Sequence, residues 1–340
     1  MNPRISHAVR ETQRTLERWG VLVAFIILFV VSTAKQGFDF FNPENFRSLL
    51  NSNAPVGILA VGMTLVIISA GIDLSVGSMV VLAAAIGMTA MNALIEHGTS
   101  ELNAVLLGGA ITILAGTAAG AFNGVLIVFG RIAPFIATLG GLAAFRSMSL
   151  AIADAGEIRS QSATMFSALG RGGIPLPGLE NSAGKPLTLS ISTVIFFVVA
   201  AIAQWFLSRS RFGRQLVAVG ANEMAARYAG ISVSWVRLRV YTVMGLLAGI
   251  AALAQSSRMN SVSTAQLGLG SELDAIAAVV IGGTSLRGGF GRVWGTVVGV
   301  LILGMITNIL TISGVSPYWQ GAVKGAVIVL AVLVQRSSRE

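Results

Sequence analysis

The fold is decided by residues 54–81, which read APVGILAVGMTLVIISAGIDLSVGSMVV. The segment is apolar enough to cross a lipid bilayer, yet it is interrupted at 71–75, where the carboxylate of Asp73 stands between a glycine and a serine. Backbone that leaves a helix inside a membrane must be shielded by protein or line a polar cavity. An interrupted apolar span that carries an acid therefore indicates a path for a solute rather than a passive anchor.

The composition of the whole chain is that of an integral membrane protein. Of its 340 residues, 54% are hydrophobic and only 11% are charged, whereas soluble domains carry about 25% charged residues. At about 20 residues per crossing, the apolar segments predict an all-α polytopic bundle of about ten transmembrane helices. The candidate spans are residues 19–34, 54–70, 76–95, 104–129, 133–153, 187–207, 236–256, 273–282, 293–312 and 319–334.

The eighth candidate span is too short for a normal crossing, so it is predicted to be a half-helix or a re-entrant segment. It follows Asp274 and precedes a run of glycines, just as Asp73 stands in a break early in the first half of the chain. Two halves with interruptions at comparable positions suggest an internal repeat, as in many transporters.

The arginines and lysines predict the orientation of the bundle. The net charge is +9, and the basic residues concentrate in the N-terminal tail and in residues 209–239, as the positive-inside rule requires of cytoplasmic segments. We therefore expect a cytoplasmic tail at 1–18, a transmembrane domain at 19–336 and a second tail at 337–340, with both termini cytoplasmic. The loop at about 209–235 would be cytoplasmic and the loop at about 154–186 periplasmic.

Several functional classes are excluded by residues that the sequence lacks. The chain has no cysteine, which rules out disulfides, thiolate catalysis and cysteine-ligated metals, and its two histidines, His7 and His97, are too far apart to form a metal site. No segment matches the P-loop pattern that cradles phosphates. We therefore expect no metal, no cofactor and no nucleotide hydrolysis in this chain, and no basic surface suited to nucleic acid.

Residues 220–230, with the sequence GANEMAARYAG, predict a short helix whose two ends are marked. Asn222 is suited to capping the N-terminus, and Glu223 suits the positive end of the helix dipole. Arg227 suits the negative end, and Gly230 permits a left-handed stop. The segment is either a docking helix for a cytoplasmic partner or an ordinary surface turn, and these residues leave both interpretations open.

The candidates for the translocation path are polar residues within or beside the predicted spans. Asp73 either lines the path or caps the helix that begins near Ser75, and the two roles are compatible. The same alternatives apply to Asp274. Arg146 falls well inside the fifth span, where an unpaired charge is costly, so it requires water or a countercharge, for which Asp73 and Asp274 are candidates. Lys324 is expected to extend its side chain to the interface.

Five blocks of this sequence resemble, in the same order, the permease subunits of ribose-type sugar ABC importers. The blocks are VGMTLVI at 61–67, GIDLSVGS at 71–78, PFIATLG at 134–140, the helix at 220–230 and ELDAIAAVVIGGTSL at 272–286. The resemblance extends from about residue 42 to residue 336. It implies a permease that moves a ribose-type monosaccharide from a periplasmic binding protein across the bacterial inner membrane.

The resemblance also implies partners and a coupling site. A second permease copy or a homologous permease would complete the core, and a cytoplasmic ABC ATPase, as a pair or a fused double subunit, would bind ATP and Mg²⁺. Glu223, Ala225, Ala226 and Gly230 would form the coupling helix seated in that ATPase, with Asn222 and Arg227 at its ends. The family motif is loosely E-A-A-x-x-x-G, from which this chain departs by inserting a methionine after Glu223.

Three other functions remain open at this stage. A branched-chain amino-acid ABC permease shares the same general plan. An ion-coupled secondary carrier would use Asp73 and Asp274 as its titratable groups, because such proteins place proton relays inside the membrane. A membrane sensor or scaffold would have the same spans without transport.

Overall fold

The computed structural model describes residues 42–180, 186–316 and 318–326, together with residues 30, 33 and 329. The predicted tails at 1–18 and 337–340 lie outside the described residues, as do nearly all of the first predicted span and most of the second half of the tenth. Residues 318–326, which belong to the tenth predicted span, are helical.

The described chain is mainly helical. Its helices are α1 (Pro43–Ile68), α2 (Val76–Glu96), α3 (Glu101–Val128), α4 (Pro134–Ile152), α5 (Met165–Arg171), α6 (Ile191–Arg209), α7 (Arg211–Ala221), α8 (Glu223–Tyr228), α9 (Val233–Met259), α10 (Ser271–Ile281) and α11 (Val293–Ile312). Seven helices in the described part, namely α1, α2, α3, α4, α6, α9 and α11, are long and apolar enough to cross a membrane. They coincide with seven of the predicted spans, so the polytopic helical class is confirmed.

The first described helix, α1, begins well before the apolar residues that predict it. Asn42 Oδ1 accepts a hydrogen bond from the backbone N–H of Glu44 at 3.0 Å, which caps the helix. Pro43 occupies the first helical position, where its missing N–H costs nothing. The helix therefore starts at its cap, and the predicted span at 54–70 corresponds only to its more apolar, C-terminal part.

The centre of the bundle is the packing of α3 against α9, where glycines face each other. A methyl group on Gly116 would lie 2.6 Å from the backbone nitrogen of Gly249, and one on Gly120 would lie 2.6 Å from the Cα atom of Gly245. Such distances leave no room for a side chain on either helix. Small residues let helix backbones approach closely in a membrane, so these glycines set the distance between the two helices.

The eighth predicted span appears as α10, which is a half-helix. It has 11 residues and is about 16 Å long at 1.5 Å per residue, whereas the hydrocarbon core of a bilayer is about 30 Å thick. It begins after Gly270, whose φ is +75°, and ends at Gly282. The chain therefore enters and leaves helical structure within the bundle at this point, as the sequence predicts.

Four short strands in the described part of the chain add to the helical fold. β1 (Glu157–Arg159) pairs antiparallel with β4 (Ser261–Ser263), and β2 (Gly173–Glu180) pairs antiparallel with β3 (Pro186–Ser190). β4 follows the last residue of α9, whereas α8 precedes its first. Because the 27 residues of α9 measure about 40 Å, the β1–β4 sheet and α8 lie at opposite ends of the bundle, which we call the sheet end and the α8 end.

Candidate functional site

The short helix α8 begins with the cap that the sequence predicts. Asn222 Oδ1 accepts a hydrogen bond from the backbone N–H of Ala225 at 3.0 Å. Glu223 occupies the first turn and Arg227 the last, so each charge meets the end of the helix dipole that stabilises it. Local hydrogen bonds and charges therefore define the start of α8 without help from distant residues.

The end of α8 is a left-handed stop at Gly230. This glycine has a φ of +76°, and its N–H donates to the carbonyl of Arg227 at 3.0 Å, while the N–H of Ile231 donates to the carbonyl of Ala226 at 3.0 Å. These bonds satisfy the last carbonyls of the helix. The predicted helix between 220 and 230 is thus confirmed, and its role as a coupling helix stays a prediction.

Glu223 ties α8 to the spanning helix that follows. Its carboxylate accepts a hydrogen bond from Arg227 at 2.7 Å and forms a second ion pair with Arg237 on α9. The hydrogen bond from Arg227, together with the charge of Arg237, holds the pKa of Glu223 below its ordinary value, although partial burial opposes the shift. The ion pair between Glu223 and Arg237 therefore links α8 to the start of α9.

The exposed surface of α8 differs from the surface that the sequence predicts. Ala226 is only 3% exposed, so its methyl group packs against this chain and is not available to a partner. Ala225 is exposed, and the side chains of Met224 and Tyr228 are 61% and 85% exposed. Asn222, Arg227 and Gly230 are exposed as well, so of the predicted coupling residues Ala226 is buried, and the large side chains of Met224 and Tyr228 add to the exposed surface of this segment.

Asp73 lies fully buried in the turn between α1 and α2. Its Oδ1 accepts hydrogen bonds from the backbone N–H of Ser75 at 2.9 Å and from the Ser75 hydroxyl at 2.6 Å, and Asn123 Nδ2 on α3 donates to that hydroxyl at 2.7 Å. The other carboxylate oxygen, Oδ2, has no partner among the described residues. These bonds match the capping interpretation, and a role in the path stays a prediction.

The turn at 69–75 lies in the half of the bundle nearer to α8. The carbonyl of Ile72 accepts a hydrogen bond from the Tyr241 hydroxyl at 3.2 Å, and Tyr241 is in the first third of α9. The carbonyl of Ile68 accepts a hydrogen bond from the N–H of Gly289, in the loop between α10 and α11, at 2.9 Å. The turn is therefore held by α3, α9 and this loop together.

Arg146 finds its partners in the backbone of a loop rather than in the predicted acids. Its Nη1 donates to the carbonyls of Thr264 and Leu267 at 3.1 and 2.9 Å. Glu272, at the start of α10, is the acid that interacts with it electrostatically. The prediction that Asp73 or Asp274 supplies the countercharge is wrong, because the loop after β4 brings its own carbonyls and Glu272 to this side of α4.

Asp274 forms an ion pair with Lys324. The Lys324 Nζ lies 3.1 and 3.0 Å from the two carboxylate oxygens of Asp274, and both side chains are partly buried. The expectation that Lys324 extends to the interface is therefore wrong. The pair joins α10 to the helical segment 318–326.

Comparison with known proteins identifies the family. Residues 45–332 match the model of the family described as "Branched-chain amino acid transport system / permease component". The chain belongs to this permease family. The permease is 37% identical over 324 residues to the ribose import permease protein of Escherichia coli K12, with 95% of both chains covered. It is 40% identical over 316 residues to the ribose import permease protein of Bacillus subtilis, covering 92% of this chain and 90% of the relative.

A third relative of the permease is the D-allose transport system permease protein of Escherichia coli K12, with 33% identity over 323 residues and coverage of 94% of this chain and 92% of the relative. These matches confirm the resemblance to ribose-type permeases that was inferred from the five sequence blocks. The family and these relatives are transport permeases, so the permease is a multi-pass membrane transport subunit rather than an enzyme.

Two buried polar residues of the permease were not among the sequence candidates. Asn123 holds the Ser75 hydroxyl and Tyr241 holds the Ile72 carbonyl, and both side chains are fully buried. Each is a polar residue inside an otherwise apolar span, where an unsatisfied group is costly. Their polar character within apolar spans could have been noticed in the sequence. The sequence does not show, however, that both side chains bind the turn at 69–75.

Proposed function

We propose that this permease is the membrane-spanning subunit of an ABC importer that moves a ribose-type monosaccharide from a periplasmic binding protein across the bacterial inner membrane. The observation that carries the proposal is the identity of 37% and 40% to two ribose import permeases along nearly the whole chain. The family description names branched-chain amino acids, and that substrate is the second candidate. The sugar is favoured because the three relatives are all named for sugars.

The charge at the α8 end supports a cytoplasmic location for it. Residues 209–239 contain six arginines and one acid, Glu223. Exposed arginines also follow α3, at Arg131, and lie within the loop between α10 and α11, at Arg287 and Arg292. An excess of arginine in short loops marks the cytoplasmic side. With this orientation the sheet end faces the periplasm, where a loaded binding protein would dock.

In this proposal α8 is the coupling helix. Met224, Ala225 and Tyr228 would enter a groove of a cytoplasmic ATPase, which binds ATP and Mg²⁺, as a pair or as a fused double subunit. Closure of the ATPase would push α8, and the ion pair between Glu223 and Arg237 would pass the movement to α9. Tyr241 on α9 holds the turn at 69–75, so the same movement would reach α1 and α2.

The solute path itself would form between this permease and a second copy or a homologous permease. Asp73 and Ser75 would stand near its cytoplasmic half, and Arg146 and Asp274 near its periplasmic half. Access changes only if each partner binds the two conformations with different free energies. ATP would supply that difference at one face, and the binding protein would supply it at the other.

Uptake by reconstituted vesicles tests the proposal. Vesicles containing the permease, its ATPase and its binding protein are expected to accumulate labelled ribose only when ATP is hydrolysed, and to leave labelled leucine outside. Accumulation with a non-hydrolysable ATP analogue would contradict the ABC mechanism, and accumulation of leucine in place of ribose would favour the amino-acid permease. A protonophore at constant ATP is expected to leave uptake unchanged, which separates this function from that of an ion-coupled carrier.

A further inference from the structure

A groove of about 270 Å³ lies at the α8 end of the permease. Gln215, from α7, forms one wall, and Ser232, Trp235, Val236 and Arg239, at the start of α9, form the other. None of these residues is among the coupling or path candidates. The groove therefore has no part in the transport mechanism described above.

The groove carries positive charge that no acid neutralises. The guanidinium carbon of Arg239 lies 6.0 Å from the centre of the Trp235 ring, and among the described residues no carboxylate is within ion-pair distance of Arg239. The acid of this segment, Glu223, is occupied by Arg227 and Arg237. The charge of the groove therefore favours an anionic ligand.

The amphipathic helix α7 adds further positive charge beside the groove. Leu216 and Val219 on one face are buried against the bundle, whereas Arg211 and Arg214 on the other face are exposed. A short helix with an apolar inner face and arginines outside is typical of helices that lie in the membrane interface. The arginines of α7 and Arg239 thus face the same polar layer.

The depth of the groove corresponds to the lipid headgroups. The 27-residue helix α9 is about 40 Å long, about 10 Å more than the hydrocarbon core, so both of its ends extend towards the interface. Trp235 and Arg239 are in its first two turns, from which a long arginine side chain reaches the headgroup layer. Tryptophan is typical of that layer. On the same face the helix continues with Val243, which is partly exposed, and Leu246, which is 37% exposed. A charged pocket therefore leads directly into an apolar surface inside the membrane.

We infer that this groove binds the headgroup of an anionic phospholipid of the cytoplasmic leaflet, with its phosphate at Arg239 and its acyl chains along Val243 and Leu246. Basic pockets on the cytoplasmic side of membrane helices bind anionic headgroups in this way. A water-soluble partner would satisfy the charge but would leave the apolar continuation of the groove uncovered. The inference rests on the orientation given under the proposed function, and on no other part of it.

Native mass spectrometry of the full-length permease in detergent micelles tests the inference. Dioleoyl phosphatidylglycerol and dioleoyl phosphatidylcholine are added at equal concentrations, and the lipid molecules that stay bound are counted. Arg239→Gln is compared with Arg287→Gln, which removes an exposed arginine from the same end of the molecule but outside the groove. We expect the wild type to retain phosphatidylglycerol, Arg239→Gln to retain about fivefold less, and Arg287→Gln to resemble the wild type.

Two results would overturn the inference. One is equal retention of phosphatidylglycerol by Arg239→Gln and the wild type, and the other is an equal loss in both variants, which would indicate attraction to charge in general. If Arg239→Gln instead weakens binding of the ATPase subunit with lipid retention unchanged, the groove is a protein-docking surface. Lipid retention is measured on the permease alone, so failure of sugar uptake in the reconstituted system would leave this result standing.

Discussion

At the scale of single residues, Glu223 connects the short helix α8 to the spanning helix α9. Its pKa is held below the ordinary value of 4.5 by the hydrogen bond from Arg227 and the charge of Arg237. A carboxylate with a lowered pKa contributes stability that is fully present above its unfolded pKa and is lost as the pH falls through the lowered value. The attachment of α8 is therefore expected to be constant near neutral pH and to weaken only in acid.

Glu223→Gln is expected to loosen α8 at every pH, because both ion pairs are lost. A spin label at a cysteine in position 228 reports this as increased mobility, and the wild type is expected to show the same increase only in acid, as the pH falls through the lowered pKa of Glu223. Arg227→Gln is the matched control, since it retains the pair with Arg237 and should have a smaller effect. Equal label mobility in Glu223→Gln and the wild type at pH 7 would contradict the connection.

Gly230→Val is expected to separate ATP hydrolysis from sugar uptake in the reconstituted transporter. A β-branched residue at a φ of +76° costs about 1–2 kcal/mol, so the stop after α8 is distorted while the spans remain inserted. Uptake is expected to fall about tenfold with ATP hydrolysis largely retained. Gly230→Asn, which tolerates a left-handed conformation, should stay close to the wild type, and normal uptake by Gly230→Val would count against the coupling assignment.

Asp73 is expected to act through its acceptor oxygen in the turn before α2. Asp73→Asn retains an oxygen for the N–H and the hydroxyl of Ser75, whereas Asp73→Ala removes it. We expect the melting temperature in detergent to change little for Asp73→Asn and to fall for Asp73→Ala, with a loss of about 1 kcal/mol. A large loss of stability in both variants would show that the negative charge itself is required.

At the scale of elements, the contact between α3 and α9 depends on glycines that leave no space between the backbones. Gly116→Leu is expected to force the two helices apart, because its Cβ alone would lie 2.6 Å from the backbone of Gly249. We expect a loss of about 3 kcal/mol or more, seen as a sharply lower yield of monodisperse protein and a lower melting temperature.

Gly109 supplies the matched control on the same helix. A methyl group there would lie 3.5 Å from the Leu253 side chain, which is an ordinary van der Waals contact, so Gly109→Ala should be tolerated. A similar yield for Gly116→Leu and Gly109→Ala would show that α3 and α9 can separate without loss of the fold.

At the scale of the whole molecule, the sheet end and the α8 end are predicted to face opposite sides of the membrane. The chain has no cysteine, so single cysteines report their location without background. Ala168 on α5 is exposed, and α5 lies at the sheet end, where Arg171 Nε donates to the carbonyl of Arg258 at 3.0 Å. Tyr228 represents the other end.

A membrane-impermeant maleimide is expected to label Ala168→Cys in intact spheroplasts and to label Tyr228→Cys only after the membrane is opened. The arrangement follows from the arginines of the α8 end, which the positive-inside rule places in the cytoplasm. Labelling of Tyr228→Cys in intact spheroplasts would invert the orientation, and with it the assignments of both the ATPase and the binding protein.

The sequence by itself determined the features whose causes are local. Long apolar runs predict the spans because hydropathy and length are properties of a continuous segment. Local residues also predict the interruption at 71–75, the half-helix α10 and both ends of α8. Caps, glycines and charges at helix ends act on residues that are close in sequence.

Only the tertiary structure decided which distant groups meet. Arg146 binds carbonyls that lie 118 and 121 residues away, and Asp274 pairs with Lys324, 50 residues away. Likewise, Ala226 is buried whereas Met224 and Tyr228 are exposed, because the burial of each side chain depends on which elements pack against α8. The partner of a buried charge is set by the distances between side chains on packed helices, and these distances cannot be read from one sequence.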